Sequence, residues 1–169
     1  LYARGARTGE AMEAFLHPSA AQLYDPFLFR DMDKAVARLR EAAEKGQRIC
    51  VYGDYDVDGV CATAIMLGTL EQLGAQAFYH VPSRHREGYG MNLAAVEELA
   101  KAGTQLILTV DNGIKALEEI RLARELGMDV IVTDHHLCGD TLPDAAAILC
   151  HTLPGNAYPN PDPVSYTHL

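Results

Sequence analysis

The sequence predicts an α/β fold of three layers, in which a mostly parallel sheet lies between helices on both faces. The first observation is a series of short apolar runs without polar alternation, which is typical of strands covered on both sides. The second is their alternation with helical segments of about 10 to 15 residues, which predicts right-handed strand–helix–strand crossovers. The third is that three of the runs end in Asp or His, and parallel strands bring such ends to one edge of the sheet.

Five strands are predicted from the apolar runs, and the last is the weakest: residues 49–53, 75–81, 105–110, 128–133 and 145–149. Four helices precede or separate them, and a glycine follows each one: residues 32–45, 59–73, 93–102 and 114–126. Asp31 and Asn92 are expected to cap the first and third helices at their N-termini, and Gly59 is expected to open the second.

The length of 169 residues suits a single domain, which we place at residues 31–150. Residues 1–30 are expected to form an irregular arm, because His17-Pro18 and Asp25-Pro26 break helical patterns. Residues 82–91 are expected to form a loop. Residues 151–169 contain four prolines without periodicity, so we assign them no structure and treat them as a candidate for non-native sequence.

The composition excludes several classes of protein. Lys and Arg number 14 against 23 Asp and Glu, and the net charge of -9 has the wrong sign for a basic face that holds nucleic acid. No stretch approaches the roughly 20 apolar residues of a membrane span. No apolar segment follows Arg4 and Arg7 as in a secretory signal, and the absence of an initial Met fits a start inside a longer protein.

The cysteines show no C-x-x-C spacing: they are Cys50, Cys61, Cys138 and Cys150. We therefore expect reduced thiols, mostly buried, in a cytoplasmic protein.

Three polar clusters follow predicted strands and carry the chemistry of the chain. They are Asp54-Tyr55-Asp56-Val57-Asp58-Gly59, Asp111-Asn112-Gly113 and Asp134-His135-His136. Asp56 and Asp58 are expected to point the same way from an extended turn, because side chains two apart share a face. Two carboxylates about 4 Å apart repel each other by roughly 4 kcal/mol at an effective dielectric near 20. Divalent cations would remove this repulsion.

The donor set indicates which cations fit and what they would do. Carboxylate oxygens with imidazole suit Mn²⁺ or Mg²⁺ better than a thiolate-rich zinc site would. A bridging carboxylate could hold two ions about 3.5 to 4 Å apart, which activates water for in-line attack on a phosphoryl group. The helix N-terminus after Gly59 favours a phosphate at the same place. Each cluster alone could instead cap a helix, form a turn or be solvated, but their combination in one sheet favours a metal site.

These motifs resemble the DHH phosphoesterase superfamily, and within it the RecJ-like single-stranded-DNA exonucleases. The resemblance rests first on the segment from Tyr52 to Gly59 and on Thr133-Asp134-His135-His136. The resemblance spans about residues 15–148. Within this range it continues in four further segments: Asp25-Pro26, Asp31-Met32-Asp33-Lys34-Ala35, the loop from Val81 to Asn92, and Leu142-Pro143-Asp144-Ala145. It implies a partial catalytic domain over residues 31–150, incomplete at its C-terminus.

The resemblance also implies roles for the polar side chains. Asp56 and Asp58 would ligate different metals, Asp111 would bridge them, and His135 would complete one coordination shell. His136 would face the scissile phosphate. Two further carboxylates would support the site: Asp54 as a ligand or a brace, and Asp134 as the group that orients the histidines.

A loop near the site is the candidate contact for the nucleic-acid backbone, through Arg84 and Arg86 and the main chain of Gly88 to Gly90. The arginines could equally be solvated loop cations. Tyr89 could stack on a base or anchor the loop by packing. His85 is expected to be exposed and has no assigned role.

Two departures from the superfamily pattern matter. Tyr52 stands where pyrophosphatase relatives have a His, which argues against that branch. A further metal-binding Asp is expected on a later strand, and neither Asp144 nor Asp162 fits it. The substrate-gripping second domain is also absent, so the chain is expected to be a fragment whose own activity is open.

The resemblance implies a two-metal phosphodiester hydrolase that degrades single-stranded DNA from the 5′ end in repair and recombination, with Mn²⁺ or Mg²⁺ as cofactor. Expected partners are single-stranded DNA and, in the parent system, a single-strand-binding protein or helicase. Two alternatives stay open: a phosphodiesterase for oligoribonucleotides or cyclic dinucleotides, and a non-catalytic module of the same superfamily. A receiver-type domain is disfavoured, because it gives no account of the Asp-His-His cluster.

Overall fold

A computed structural model describes residues 1–83 and 88–159 and shows a five-stranded, wholly parallel sheet. The strand order is β2-β1-β3-β4-β5, and the strands are β1 Arg48–Tyr52, β2 Gln76–His80, β3 Leu106–Val110, β4 Asp129–Asp134 and β5 Ala147–Cys150. The helices are α1 Gly9–Leu16, α2 Met32–Glu44, α3 Val57–Gln72, α4 Leu93–Lys101 and α5 Leu117–Glu125. The predicted α/β fold is confirmed.

The two faces of the sheet carry separate apolar cores, because successive strand side chains point to opposite sides. Ile49 and Val51 pack with α2 and α3, whose buried residues include Ala42 and Leu70. Cys50 and Tyr52 lie on the other face, in the core to which α4 and α5 contribute. This arrangement gives the three layers and leaves the strand ends free to form a site.

The strand register brings the three polar clusters to one edge. Tyr52, the last residue of β1, pairs with Thr109 of β3, and Val110 pairs with Thr133 of β4. The chain therefore leaves β1, β3 and β4 at nearly the same level. All three exits lie at the carboxyl ends of parallel strands, where ligands bind in sheets of this type.

The N-terminal arm is more ordered than the sequence predicted, since α1 lies within it. The Thr8 hydroxyl accepts a hydrogen bond from the Ala11 N–H at 3.1 Å and caps this helix. The prolines that suggested irregularity follow α1 and limit only its C-terminal end. Farther along, the Phe29 ring of the arm stacks on Tyr158 with centroids 4.2 Å apart.

Asp31 does not cap α2 with its side chain, which corrects the prediction. Its carboxylate instead accepts from the Ile148 N–H at 3.2 Å and from Lys34 Nζ at 2.8 Å. Since Ile148 lies in β5, Asp31 joins α2 to that strand. The carboxylate thus accepts from the distant Ile148 N–H rather than from an N–H of the first turn of α2, as the sequence suggested.

Two helices begin away from their predicted starts. α3 begins at Val57, before Gly59, because the Asp56 carboxylate accepts from the Gly59 N–H at 2.9 Å and acts as the N-cap. α5 begins at Leu117 rather than near Ile114, whose N–H donates to Asp134 instead. Both shifts have a similar cause. Carboxylates of the polar clusters accept hydrogen bonds from backbone N–H groups near the two helix starts, Asp56 from Gly59 and Asp134 from Ile114.

The four cysteines are free thiols, as expected, with Cys50 and Cys150 buried. Within residues 1–83 and 88–159 we find no helix with the length and apolar character that crossing a membrane requires.

Candidate metal centre

The acidic and imidazole side chains gather into two overlapping groups at the carboxyl edge of the sheet. Asp54, Asp56 and Asp111 form one group, and Asp111, His135 and His136 form the other. Within each group one ligand atom per residue lies within 4.8 Å of the others. Asp111 belongs to both groups, so its carboxylate stands between two places where a cation would fit.

Asp111 occupies an unusual position in the backbone. Its φ is 64°, the one positive value among the non-glycine residues that the structure describes. Asp tolerates this left-handed conformation better than most residues, at a cost of about 1 kcal/mol. Its N–H donates to the Thr133 carbonyl at 3.0 Å, which ties the turn after β3 to β4. Backbone of this kind clusters at functional sites.

The electrostatic environment of Asp111 is strongly acidic. Its side chain is only 5% exposed. Burial, followed by the negative charges of Asp58 and Asp56, raises the pKa of Asp111 to about 7. Without a cation the buried carboxylates repel one another, and a proton on Asp111 relieves part of that repulsion.

His135 approaches Asp111 in a way that fits shared coordination. Its Nε2 lies 2.8 Å from Asp111 Oδ1, yet that oxygen has no hydrogen-bond partner among the described residues. Two ligands at about 2.1 Å from one cation and at right angles to each other would stand about 3.0 Å apart. Asp58 Oδ2 lies 4.0 Å from the same nitrogen, and burial is the main cause that raises the pKa of Asp58.

Asp54 is a buried carboxylate that its surroundings leave unsatisfied. It is 1% exposed, and within the described part of the chain neither oxygen has a hydrogen-bond partner. Burial raises the pKa of Asp54. The N–H groups of Tyr55 and Gly90 partly oppose this shift of the pKa, although neither forms a hydrogen bond of normal geometry with the carboxylate. Such an orphaned carboxylate would normally be costly, and a cation would satisfy it.

Glycine at position 59 allows α3 to begin directly against Asp54. A Cβ at Gly59 would lie 2.5 Å from the Asp54 backbone nitrogen and 2.7 Å from its Cα. The helix start and the aspartate therefore fit together only while residue 59 lacks a side chain. Gly53 is similarly constrained, since its Cβ would lie 2.0 Å from Thr63 Oγ1.

Asp56 and Asp58 do not lie in one extended segment, which corrects the expected geometry. Asp56 is the exposed N-cap of α3, and Asp58 lies in the first helical turn. Asp56 groups with Asp54 and Asp111, whereas Asp58 Oδ2 lies 4.0 Å from His135 Nε2.

The Asp134 carboxylate fixes the histidine segment. Its Oδ1 accepts from the N–H groups of His135 and His136 at 2.7 and 3.1 Å, and it lies 2.7 Å from His136 Nδ1. Its Oδ2 accepts from the Ile114 N–H at 2.9 Å. Asp134 therefore joins the end of β4 to the segment that follows β3.

The loop predicted to contact nucleic acid reaches the site through Tyr89. The Tyr89 hydroxyl lies 3.1 Å from His136 Nε2, and the two rings meet edge to face. Its ring also lies edge to face with Tyr55 at 6.4 Å, and Tyr89 is 55% exposed. Burial, then nearby acids, raises the pKa of the Tyr89 hydroxyl, which stays protonated. Arg84, His85 and Arg86 lie outside the described residues.

Asn112 was assigned no role from sequence, although it lies inside the second cluster. Its Nδ2 donates to the carbonyls of Tyr52 at 3.1 Å and Val110 at 2.9 Å, so Asn112 connects the end of β1 to the end of β3. The Thr109 hydroxyl donates to the Asn112 carbonyl at 2.7 Å. The sequence carried no signal for this role, because the burial of Asn112 and the left-handed turn at Asp111 are evident only in the tertiary structure.

A cavity of about 260 Å³ opens beside this edge, between Gly90, Lys115 and His136. Asp144 does not join the site: it pairs with Arg124 of α5. Asp162, the other late acid, lies outside the described residues.

The donor set fits hard divalent cations. Buried oxygens of Asp54, Asp58 and Asp111 have no hydrogen-bond partner among the described residues, and no cysteine belongs to either ligand group. Carboxylates with one or two imidazoles suit Mn²⁺ or Mg²⁺. A parallel sheet with these ligand groups at its carboxyl edge defines an α/β domain with a candidate site for divalent cations.

The chain belongs to the DHH family, since the model of the DHH family N-terminal domain matches residues 48–158. It is 46% identical over 159 residues to the single-stranded-DNA-specific exonuclease RecJ of Bacillus subtilis (strain 168), covering 94% of this chain and 20% of that protein. The RecJ of Escherichia coli (strain K12) is 47% identical over 119 residues, with coverages of 70% and 21%. The chain thus spans about a fifth of the length of these curated relatives.

Two solved structures share the fold. One is exonuclease RecJ bound to manganese, with a TM-score of 0.74, 38% identity, and coverage of 80% of this chain and 35% of that one. The other is RecJ in complex with Mn²⁺ from Thermus thermophilus, with a TM-score of 0.73, 33% identity, and coverages of 97% and 22%. The resemblance to the DHH superfamily and its RecJ-like members is confirmed.

Proposed function

We propose that this chain forms the metal-binding part of a phosphodiester hydrolase that degrades single-stranded DNA from the 5′ end. The observation that carries the proposal is the position of Asp111, which belongs to both ligand groups at the carboxyl edge of the sheet. Relatives from two bacteria are named single-stranded-DNA-specific exonucleases, and this supports the choice of substrate.

The proposed coordination divides the ligands between two ions. Asp54 and Asp56 would hold one ion with Asp111, and His135 and Asp58 would hold the other with Asp111. Both similar solved structures are complexes with manganese, which supports Mn²⁺, and the oxygen-rich donor set would also accept Mg²⁺. When bound, such a pair of cations activates a water and stabilises the oxygens of the phosphoryl group during in-line displacement.

His136 is assigned to the scissile phosphate. Its Nδ1 lies 2.7 Å from Asp134, which holds the ring, and its Nε2 contacts the hydroxyl of the exposed Tyr89. The His136 side chain is partly exposed beside Tyr89, and this supports its assignment to a phosphate that approaches from the solvent. Asp134 acts through the two histidines, because it accepts hydrogen bonds from both of their backbone N–H groups.

The loop that holds Tyr89 is proposed to bind the strand. Arg84 and Arg86 would contact phosphates together with the main chain of Gly88 and Gly90, and Tyr89 would stack on a base. Two bound divalent cations would add about four positive charges to a chain of net charge -9, so we expect DNA binding to depend on the metal. The proposal extends to a role in DNA repair and recombination in the cytoplasm, with a single-strand-binding protein or helicase supplying the substrate.

The test uses the complete open reading frame that encodes this chain. Release of mononucleotides from 5′-labelled and 3′-labelled single-stranded DNA is measured with Mn²⁺, with Mg²⁺ and with EDTA. We expect metal-dependent release from the 5′ end, lost in Asp111→Ala and retained in Asp33→Ala, whose exposed carboxylate lies on α2 away from the site.

Two outcomes would overturn the proposal. Faster hydrolysis of a short oligoribonucleotide or a cyclic dinucleotide than of DNA would make the protein a nucleotide phosphodiesterase of the same family. No hydrolysis of any of these substrates would make it a non-catalytic module.

A further inference from the structure

We propose that Tyr52 is a positioning residue that holds the loop bearing Tyr89 against the metal centre, an inference that rests on the proposed function. Tyr52 is the last residue of β1 and is fully buried. A buried tyrosine needs a hydrogen-bond partner for its hydroxyl. That partner lies 38 residues away in sequence, in the loop beside the candidate site.

The hydroxyl of Tyr52 makes two hydrogen bonds with residues in the described part of this loop. It donates to the Gly90 carbonyl at 3.3 Å and accepts from Asn92 Nδ2 at 3.3 Å. Both contacts are long, but they act on residues two apart and so fix the loop at two points. Asn92 also caps α4, because its Oδ1 accepts from the Ala95 N–H at 2.8 Å. The contact therefore connects β1 to the start of α4 as well.

The fixed segment lies directly beside the candidate catalytic groups. Gly90 has a φ of 72°, so the chain turns sharply here, and Tyr89 immediately precedes it. The Tyr89 hydroxyl reaches His136 Nε2 at 3.1 Å. A shift of Gly90 would therefore move Tyr89 relative to the His136 ring.

The main chain of Tyr52 is connected to the centre as well. Its carbonyl accepts from Asn112 Nδ2 at 3.1 Å, and Asn112 follows Asp111 directly. The Tyr52 ring packs on His80 with centroids 4.7 Å apart, which limits its rotation. Tyr52 thus connects the Asp111 turn on one side with the Tyr89 loop on the other.

The test compares Tyr52→Phe with Tyr79→Phe in the complete protein. Both changes remove one phenolic hydroxyl from neighbouring strands, and Tyr79 is 61% exposed on the edge strand β2. We expect Tyr52→Phe to raise KM for single-stranded DNA about 10-fold with kcat within about twofold of wild type. Calorimetric Mn²⁺ affinity should stay within about twofold, because the hydroxyl that Tyr52→Phe removes bonds Gly90 and Asn92, which are not among the candidate metal ligands. Tyr79→Phe should change none of these quantities.

Two further measurements separate positioning from packing. Hydrogen–deuterium exchange should rise at residues 88–91 in Tyr52→Phe and not in Tyr79→Phe. In a double-mutant cycle, Tyr52→Phe and Tyr89→Phe should be non-additive in KM, because both act through the same loop. If Tyr52→Phe lowers the melting temperature too far for assay, Asn92→Ser removes the amide donor while keeping an oxygen to cap α4.

The inference is overturned if Tyr52→Phe leaves both KM and the hydrogen–deuterium exchange of residues 88–91 at the wild-type level. It is also overturned if the effects of Tyr52→Phe and Tyr89→Phe on KM are additive. If the wild-type protein hydrolyses no substrate, the proposed function fails. The exchange measurement then still decides whether Tyr52 holds the loop.

Discussion

His135 Nε2 lies 2.8 Å from Asp111 Oδ1, and the two atoms form no hydrogen bond. His135 follows β4 and Asp111 follows β3, so two adjacent parallel strands deliver the pair. This separation is close to that of two ligands on one cation, and it indicates that both side chains can bind the same ion.

Replacing Asp111 by Asn should remove the shared carboxylate while keeping the backbone, because Asn also tolerates a positive φ. We expect Mn²⁺ affinity to fall by more than about 100-fold, beyond the loss that supporting residues typically cause. The metal-free protein should become more stable, since one buried negative charge is gone. Calorimetry and thermal melts in EDTA measure the two effects, with Asp33→Asn as the exposed control. Unchanged Mn²⁺ affinity would rule out the bridging role.

The metal-free chain should lose stability as pH rises from about 4 to about 7. The pKa of Asp111 is raised from 3.8 to about 7 in the folded state, so the folded chain binds more protons than the unfolded chain between these values. Stability therefore falls with pH across this window, by at most about 4 kcal/mol for a shift of this size. Urea unfolding in EDTA at several pH values measures the slope.

Mn²⁺ should reverse this dependence, because it competes with protons for the same carboxylates. The rise in melting temperature on adding Mn²⁺ should be larger at pH 8 than at pH 5. The Asp111→Asn variant should flatten the slope seen in EDTA. A metal-free stability that increases from pH 4 to pH 7 would contradict the assigned environment of Asp111.

Replacing Asp134 by Asn should disturb the histidine segment. One of its oxygens becomes an NH₂ group that faces backbone donors of His135, His136 or Ile114. We expect a loss of about 2 to 4 kcal/mol in the free energy of unfolding and a 10- to 100-fold weaker Mn²⁺ affinity, both order-of-magnitude values. Urea unfolding and calorimetry measure them. Asp140→Asn, at an exposed position in the following loop, should change neither quantity.

Two glycines of α3 should respond oppositely to Ala. At Gly59 a Cβ would lie 2.5 Å from the Asp54 nitrogen, so Gly59→Ala should destabilise the fold by more than about 1 kcal/mol and displace Asp54. At Gly68 a Cβ would meet no atom within 4 Å, so Gly68→Ala should stabilise by up to about 1 kcal/mol through helix propensity. Denaturant unfolding compares them, and equal effects would contradict the close contact at Gly59.

The sequence alone was sufficient to predict the sheet. The apolar runs that became β1, β3 and β4 lack polar alternation, and a strand buried on both faces needs this pattern. The polar residues after those runs were predicted to meet, because parallel strands end on the same side. Helix stops at Gly46 and Gly103 followed from the positive φ that glycine adopts easily.

Contacts between distant segments could not be predicted in the same way. Asp31 looked like a helix cap and instead accepts from Ile148, 117 residues later. Asp56 and Asp58 were expected in one extended turn, but α3 begins at Val57 and places Asp58 in its first helical turn. The left-handed turn at Asp111 and the contact of Tyr52 with Gly90 also depend on strand register.

The sequence by itself therefore determined which elements form and which chemical groups they carry, because periodicity and strand ends are local properties. Tertiary structure decided which oxygen meets which nitrogen, because those partners depend on how the crossovers and the strand register place segments that are far apart along the chain.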